Sequence, residues 1–445
     1  MHIFISLFSG INDEGSVNGS IPCFYETVIK NLEKLGNNLL VHVSKDWNRP
    51  YDKIPDKLLT QIKEFNPDLL ILFNNTFYDV SREFDCPIVI YEVDSPIFYS
   101  NKNALKENIS RYKFIVSQDE SVEILESEFR VNRKNILKVP FFTEIHAKDI
   151  PIRHNISFIG TKFSNQNIFS KFMKSNPNEK EIDLFKKLIK EYKYNTFVTT
   201  NSLIEKFNIK SKKILANFDT NKIIWDLSDY NRTKTLSCVA DLGLRLYGTP
   251  EWIFDNYNEP EVILSYINKP VYSLKHNQDI YNSSKIGINI NHLQACSGFS
   301  WRVCDILASN ACLVSEYKPN VEKYFGKAGV PTFTNPYEAR EICIKLLNNE
   351  NMRKDIVAAS QEIIESNFRF KYVLQEIEDF IGFKLESDNK PEVKYHIATF
   401  KKLKKKEKFI QKIFSIRNSD DKKHKVITIL GVKIKVKIKE RRIND

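Results

Sequence analysis

Short apolar runs bounded by turn residues, each followed by an amphipathic stretch, recur along most of this chain. Residues 3–8, Leu39–Val43, Asp68–Phe73, Pro87–Glu92, Phe114–Ser117 and Ile136–Pro140 have the length and content of strands buried on both faces. Helical periodicity fills the intervals, with Phe24–Leu35 closed by Gly36 and another helix near 55–65. Strands alternating with helices predict a parallel sheet covered by helices, here a Rossmann-like domain over residues 1–150. Residues 143–155 read as a connection. A second domain of the same kind, 151–385, opens with Ile156–Gly160, and its sheet resumes at Leu244–Gly248 and Ile286–Asn291. Between them, residues 165–235 are polar and helical, a substantial insertion. Helices are expected at Tyr337–Asn348, Asn351–Asn367 and Phe370–Phe383.

One stretch concentrates the chemistry. From Ser297 through Gly298, Phe299, Ser300, Trp301 and Arg302 to Val314, the pattern is a polar turn, a short helix, a stop at Asn310 and a buried strand. Ser300 suits the N-cap, and Arg302, Asp305 and Ser309 make one polar stripe. Such a stripe also suits a plain surface ion pair.

This stretch resembles the nucleotide-sugar-binding helix of GT-B glycosyltransferases, especially the CgeB-like branch. Arg302, Asp305, Ala308 and Asn310 take the Arg, Glu, Ala and Gly positions of that pattern. The resemblance extends upstream through Ile280–Asn291 and, more weakly, over most of residues 1–385. Ser297 stands where a two-glutamate version has its first carboxylate, and Asp305 is one methylene shorter than Glu. The resemblance implies an α/β GT-B fold of two Rossmann-like domains facing a cleft. It implies a final helix crossing back to the first domain, Asp305 on a ribose diol, and metal-independent sugar transfer from a nucleotide diphosphate with no cofactor. The implied role is transfer to a glycan or glycolipid acceptor in surface polysaccharide assembly (lipopolysaccharide, capsule or glycoconjugate). The alternative is a non-catalytic GT-B-like carbohydrate- or nucleotide-binding protein.

Ligands of α/β sheets bind beyond the carboxyl ends of strands. Four candidates sit there: Asp94, Gly160 with Lys162, Tyr247 with Gly248, and Ser297–Arg302. Helix N–H groups near Trp301 supply donors to a diphosphate, and Arg302 and Lys162 supply positive charge. Gly160 and Gly248 either let backbone approach a ligand or simply end strands. For a catalytic base the first domain offers Asp94, before Ser95-Pro96, with Asp13 and Glu14 of the first loop as rivals. No D-x-D occurs, and the histidines show no ligand spacing.

Charge changes the picture only when located. The formal net charge is +11, yet residues 401–445 hold seventeen lysines and arginines against five carboxylates, which leaves the body close to neutral. That argues against a nucleic-acid-binding body and for a basic tail, 386–445, with its own partner. Lys404, Lys405 and Lys406 with Phe409, Ile413 and Phe414 read as a basic interfacial helix, followed by a hairpin over 426–439. The expected partner is an anionic membrane at the inner face of the cytoplasm. No run is long enough to span a bilayer, and the N-terminus reads as a strand, not a signal peptide. Seven cysteines without C-x-x-C argue against a disulfide framework or a zinc site and for a reducing compartment.

Overall fold

The computed structural model describes residues 1–8, 21–44, 54–74, 77, 80–99, 102–163, 166–253, 259–268, 271–388, 390–398, 414–418, 424–429 and 432–437. Asp13, Glu14 and the expected basic helix up to Ile413 lie outside them. The chain divides into two compact units, Met1–Ala398 and Thr399–Asp445.

The larger unit contains two parallel sheets. The first has strands β1 (His2–Phe8), β2 (Asn38–Ser44), β3 (Leu69–Phe73), β4 (Ile88–Tyr91), β5 (Tyr112–Val116) and β6 (Ile136–Lys138). The second has β7 (His154–Ile159), β8 (Leu244–Tyr247), β9 (Ser284–Asn289), β10 (Cys312–Glu316) and β11 (Thr332–Phe333), in the order β11-β10-β9-β7-β8. Each apolar run expected as a strand in residues 1–385 is one. β3 and β4 are buried along their whole length, as continuous apolar runs in a helix-covered sheet must be.

A further strand, β12 (Val393–Ala398), was not expected. It completes the first sheet in the order β12-β2-β1-β3-β4-β5-β6, pairing parallel with β2 from Val393↔Leu39 to Ala398↔Ser44. The basic tail was expected to start near residue 386, but the larger unit runs through Ala398. The chain reaches this edge on helix Phe370–Ile381, whose Phe370, Ile377 and Ile381 belong to one core with Val28, Leu32, Ile71, Val89 and Ile115. This is the crossing back to the first sheet. The two crossings are tied together: Arg369 donates to the carbonyls of Thr143 and Ile145 at 2.6 and 2.7 Å.

The helical insertion is a bundle with its own core. Helices Ile168–Lys174, Glu179–Tyr194, Thr200–Lys206, Lys212–Asn217 and Thr220–Val239 enclose Phe172, Phe185, Leu188, Tyr192, Ile214 and Ile223. The longest, Thr220–Val239, carries a buried polar stripe that anchors the loop after β7. Asp226 accepts from the N–H of Ile168 at 2.8 Å, and Asp229 holds Lys162.

The smaller unit is a three-stranded antiparallel sheet, β13 (Phe414–Asn418), β14 (His424–Ile429) and β15 (Val432–Lys437). The expected hairpin is β14–β15, with Lys433 opposite Thr428 and Lys435 opposite Val426. Phe414 begins β13, so it belongs to a strand and not to the end of the expected helix. Among the described residues no helix is long and apolar enough to cross a membrane.

The β2–β12 edge gives stability a pH dependence. His42 on β2 is buried with its Nδ1 3.0 Å from Nδ1 of His396 on β12. Burial first, then the neighbouring histidine, lowers its pKa to about 3. The unfolded chain binds a proton there below about 6.5 and the folded chain does not, so stability falls as pH drops from about 6.5 towards 3, by up to ~1.4 kcal/mol per pH unit. Urea unfolding between pH 7.5 and 5 is expected to show this slope. His42→Leu is expected to reduce it by one proton; an unchanged slope would remove His42 as its source.

Candidate functional site

The carboxyl ends of β7 and β9 meet the helices Thr220–Val239 and Arg302–Leu307. There two guanidinium groups lie on the same aromatic ring. Arg302 lies 5.2 Å and Arg232 5.3 Å from the centroid of Phe158, and Arg232 also stacks on Phe163 at 4.1 Å. Arg302 donates from Nε to the carbonyl of Ile159 at 2.7 Å and from a terminal nitrogen to Asn289 at 2.9 Å. Arg232, 3% exposed, donates to the carbonyls of Thr161 and Ile290. Among the described residues neither is in an ion pair. Burial, with the nearby Arg302 next, lowers the pKa of Arg232 well below its usual value, and burial lowers that of Arg302.

Among the described residues the buried N–H of Arg232 Nε has no partner, nor have Asn291 Nδ2 and the Nε2 of His292. Asn291 and His292 follow β9 directly, and Arg232 reaches the carbonyl of Ile290 at 3.0 Å. All three are donors, and beside them the carboxylate of Glu316 accepts the N–H of Asn291 at 2.9 Å. Such a place suits an oxygen-rich anion.

Of the residues expected at a donor site, the structure sets Arg302 beside Arg232 on Phe158 and places the others differently. Lys162 is 8% exposed and holds both oxygens of Asp229 at 2.9 Å, so its charge is already neutralised. Asp305 is 2% exposed, and its Oδ1 accepts from the Thr143 hydroxyl at 2.6 Å. Burial raises its pKa to about 6, against the hydroxyl of Thr143 and the thiol of Cys23 beside it. Through Oδ1 it braces the connection between the halves, while its Oδ2 is buried with no hydrogen-bond partner among the described residues. The stripe of Arg302, Asp305 and Ser309 faces inward, because the helix has only six residues and is packed on all sides. Ser300 is not the N-cap: its hydroxyl donates to Asn289 at 3.1 Å, and its N–H is taken by Asn291. So short a helix with its first N–H groups engaged supplies little to a diphosphate. Asn310 does not turn left-handed; its amide reaches the carbonyl of Lys148 at 2.6 Å.

The glycines serve chain packing. A Cβ on Gly248, at φ +155°, would sit 1.9 Å from the carbonyl oxygen of Gly160. That oxygen accepts the indole N–H of Trp252 at 2.8 Å. Tyr247 points back along the sheet, its hydroxyl 3.0 Å from His154 at the start of β7. Phe299 is core, packed edge-on against Tyr324 and Phe325.

Ser297 and Gly298 belong to a clasp between the halves. The N–H of Ser297 donates to Glu120 at 3.1 Å, and its hydroxyl donates to the other oxygen of the same carboxylate. A Cβ on Gly298 would lie 2.9 Å from Cβ of Gln118, so only glycine admits that approach. Gln118 accepts from the N–H of Cys296 and donates to the carbonyl of Gln294. Gln294 in turn donates to Asp94 at 2.8 Å and accepts from the N–H of Ser95 at 2.9 Å. Asp94 is therefore held on both oxygens, by Gln294 and by Asn74 at 2.9 Å, and burial raises its pKa. It is a brace for the loop 294–297 in this arrangement, not an open base.

Arg232, Asn291, His292, Gln118, Glu120 and Gln294 were not anticipated. A signal for Arg232 was present: Asp226, Asp229 and Arg232, three apart, put charge on one face of an otherwise core-facing helix. The clasp residues are single polar side chains in loops, which no periodicity marks.

Residues 232–379, about a third of the chain, match the family model described as Glycosyl transferase-like. The match begins at Arg232 and spans the second sheet from β8 to the crossing helix. No curated protein matches the sequence. Among solved structures, sucrose-phosphate synthase from Thermosynechococcus elongatus is similar over 85% of this chain and 97% of its own, with a TM-score of 0.51 and 8% identity. A glycosyltransferase from Rickettsia africae has a TM-score of 0.48 at 10% identity, covering 85% of this chain and 97% of that one. Anabaena HepE in complex with UDP-glucose has 0.49 at 9% identity, covering 86% and 99%. The likeness to the synthase is one of fold. The fold is GT-B.

Asp305→Ala is expected to act on stability, not on nucleotide affinity. It leaves the Thr143 hydroxyl without its acceptor and opens a void at the connection, a loss of roughly 2–3 kcal/mol. Urea unfolding beside a nucleoside diphosphate titration checks this. A wild-type unfolding midpoint with weakened nucleotide binding would return Asp305 to the ligand.

Proposed function

We propose that this chain, a glycosyl transferase-like protein of GT-B fold, moves a sugar from a nucleotide diphosphate donor to a glycan or glycolipid acceptor in surface polysaccharide assembly. The observation that carries the reading is the pair Arg232 and Arg302, set on Phe158 with neither in an ion pair among the described residues. A diphosphate leaving group gains negative charge as the glycosidic bond breaks. Fixed guanidinium and N–H donors in a poorly hydrated site stabilise that charge with little reorganisation. Two arginines supply this charge without a metal, so the transfer we propose is metal-independent and needs no cofactor.

A nucleotide-sugar-binding protein without turnover is the second reading. It is favoured by Asp94 and Asp305, both expected to act on substrate and both engaged in holding the halves together. Hydrolysis or transfer with a panel of nucleotide sugars separates the two.

The donor site is tested by thermal shift with UDP, GDP, CDP and ADP. A bound nucleotide at ~100 times its dissociation constant stabilises by ~2.7 kcal/mol. Arg232→Ala and Arg302→Ala, each compared with and without nucleotide, are expected to weaken binding at least ~10-fold, as loss of a charge-assisted contact does. Wild-type affinity in both variants would refute the site.

The basic tail is proposed to hold the enzyme on the inner face of an anionic membrane. Basic residues beside anionic lipid contribute about 1 kcal/mol each, so a few of the seventeen suffice. Vesicles containing phosphatidylglycerol are expected to bind the full chain and to release it as salt rises. Vesicles of phosphatidylcholine alone are expected not to bind; binding indifferent to lipid charge would sink the tether.

A further inference from the structure

The helical insertion has a charge that the rest of the larger unit lacks. Between residues 168 and 218 stand eleven lysines against five carboxylates, while residues 1–400 taken together are close to neutral. The remainder of that stretch is therefore net acidic, and the insertion is its positive pole.

The cations gather on helix Glu179–Tyr194. Phe185, Leu188 and Tyr192 turn into the core of the bundle. Lys187, Lys190 and Tyr194, spaced i, i+3 and i+7, stand on the opposite face with Lys186 and Lys193 beside them, all exposed. The carboxylates of the helix are taken up by other lysines. Lys213 lies 3.4 Å from Glu181, Lys186 3.6 Å from Asp183 and Lys206 2.5 Å from Glu191. Among the described residues Lys187, Lys190 and Lys193 are in no ion pair. The helix dipole favours a cation in the last turn, which Lys193 satisfies, and so does not account for Lys187 two turns before the end. Tyr194 ends the helix 94% exposed, and with Phe207 and the three free lysines it lines an open groove of about 650 Å³. A ring left so fully in water gives the fold no burial.

We propose that this face of the insertion docks on an anionic lipid surface, with Lys187, Lys190 and Lys193 at the headgroup phosphates and Tyr194 at the boundary of headgroup and acyl chain. Ammonium groups on long apolar stems and a ring with one polar end are the side chains that suit that boundary. A soluble polyanion engages the ammonium groups and leaves Tyr194 in water, whereas a lipid surface occupies both. The proposal does not rest on the basic tail, because the insertion belongs to the larger unit. It also adds what a tail does not supply. A tether limits distance, while the face of a packed helix determines which side of the second half is turned to the bilayer. The acidic remainder of the larger unit is repelled by the same surface and reinforces that orientation.

Lysine acetylation read by mass spectrometry on the full chain tests this. The probes are vesicles of phosphatidylglycerol and phosphatidylcholine, vesicles of phosphatidylcholine alone, and glycerol phosphate or polyphosphate in solution. Vesicles with phosphatidylglycerol are expected to slow acetylation of Lys187, Lys190 and Lys193 severalfold, while Lys57 and Lys345, exposed on other helices, keep their rates. Lys187→Gln, Lys190→Gln and Lys193→Gln combined are expected to weaken partition at least ~10-fold, since each basic residue beside anionic lipid is worth about a factor of five. The melting temperature of that variant and its nucleotide-induced shift stay those of wild type, because the three side chains are exposed and unpaired. Unchanged reactivity of the three lysines on vesicle-bound chain overturns the docking face and leaves the tail as the contact. Protection by polyphosphate or glycerol phosphate but not by vesicles overturns it in favour of a soluble anion. No partition onto either vesicle overturns the face and the tail together.

Discussion

Two positive charges held on one phenyl ring are the constraint around which the second half is built. Arg232 and Arg302 are brought to Phe158 from two helices far apart in sequence, and among the described residues neither is in an ion pair. Burial lowers both pKa values, and at Arg232 the charge of Arg302 adds to it while Asp229 and Glu316 act against it. The protein contains the cost with backbone carbonyls: Ile159, Thr161 and Ile290 each accept from one of the two. A carbonyl orients a guanidinium without cancelling its charge. The neighbouring Lys162 is treated oppositely, locked onto Asp229, which removes its charge from the same neighbourhood. The loop after β7 thus keeps two cations free for an anion and neutralises the third.

The halves are joined at two places of different character. At the crossings, Thr143 receives Arg369 on its carbonyl and gives its hydroxyl to Asp305, all buried, so this side is fixed. Across the strand ends, Asp94, Ser95, Gln118 and Glu120 hold the loop Gln294–Ser297 through half-buried hydrogen bonds. A typical hydrogen bond is worth about 0.5–1.5 kcal/mol net, because water replaces it on opening. The first junction is buried and the second is open to water on one side. Glu120 is notable in this frame. The position of Ser297 lacks a carboxylate of its own, and one arrives from the other half to hold it.

The fold was legible because its signal is redundant. Buried strands such as β3, β4 and β10 are continuous apolar runs, and each helix between them repeats the same message at its own period. β12 was missed because Val393–Ala398 mixes Lys, Tyr and His at a sheet edge, where only one neighbour demands apolar content. Of the expected donor residues, Arg302 is the one the fold sets beside Arg232 on Phe158. Position on a helix says which residues share a face but not which face is turned inward, and on a six-residue helix packed all round every polar group is captured locally. Gly160, Gly248 and Tyr247 stood at the right strand ends and proved to be packing residues, since the end of a strand is also where neighbouring backbones come closest. His292 carried no spacing to any other histidine, and its neighbours Gln294, Trp225 and Phe98 are brought to it only by the fold.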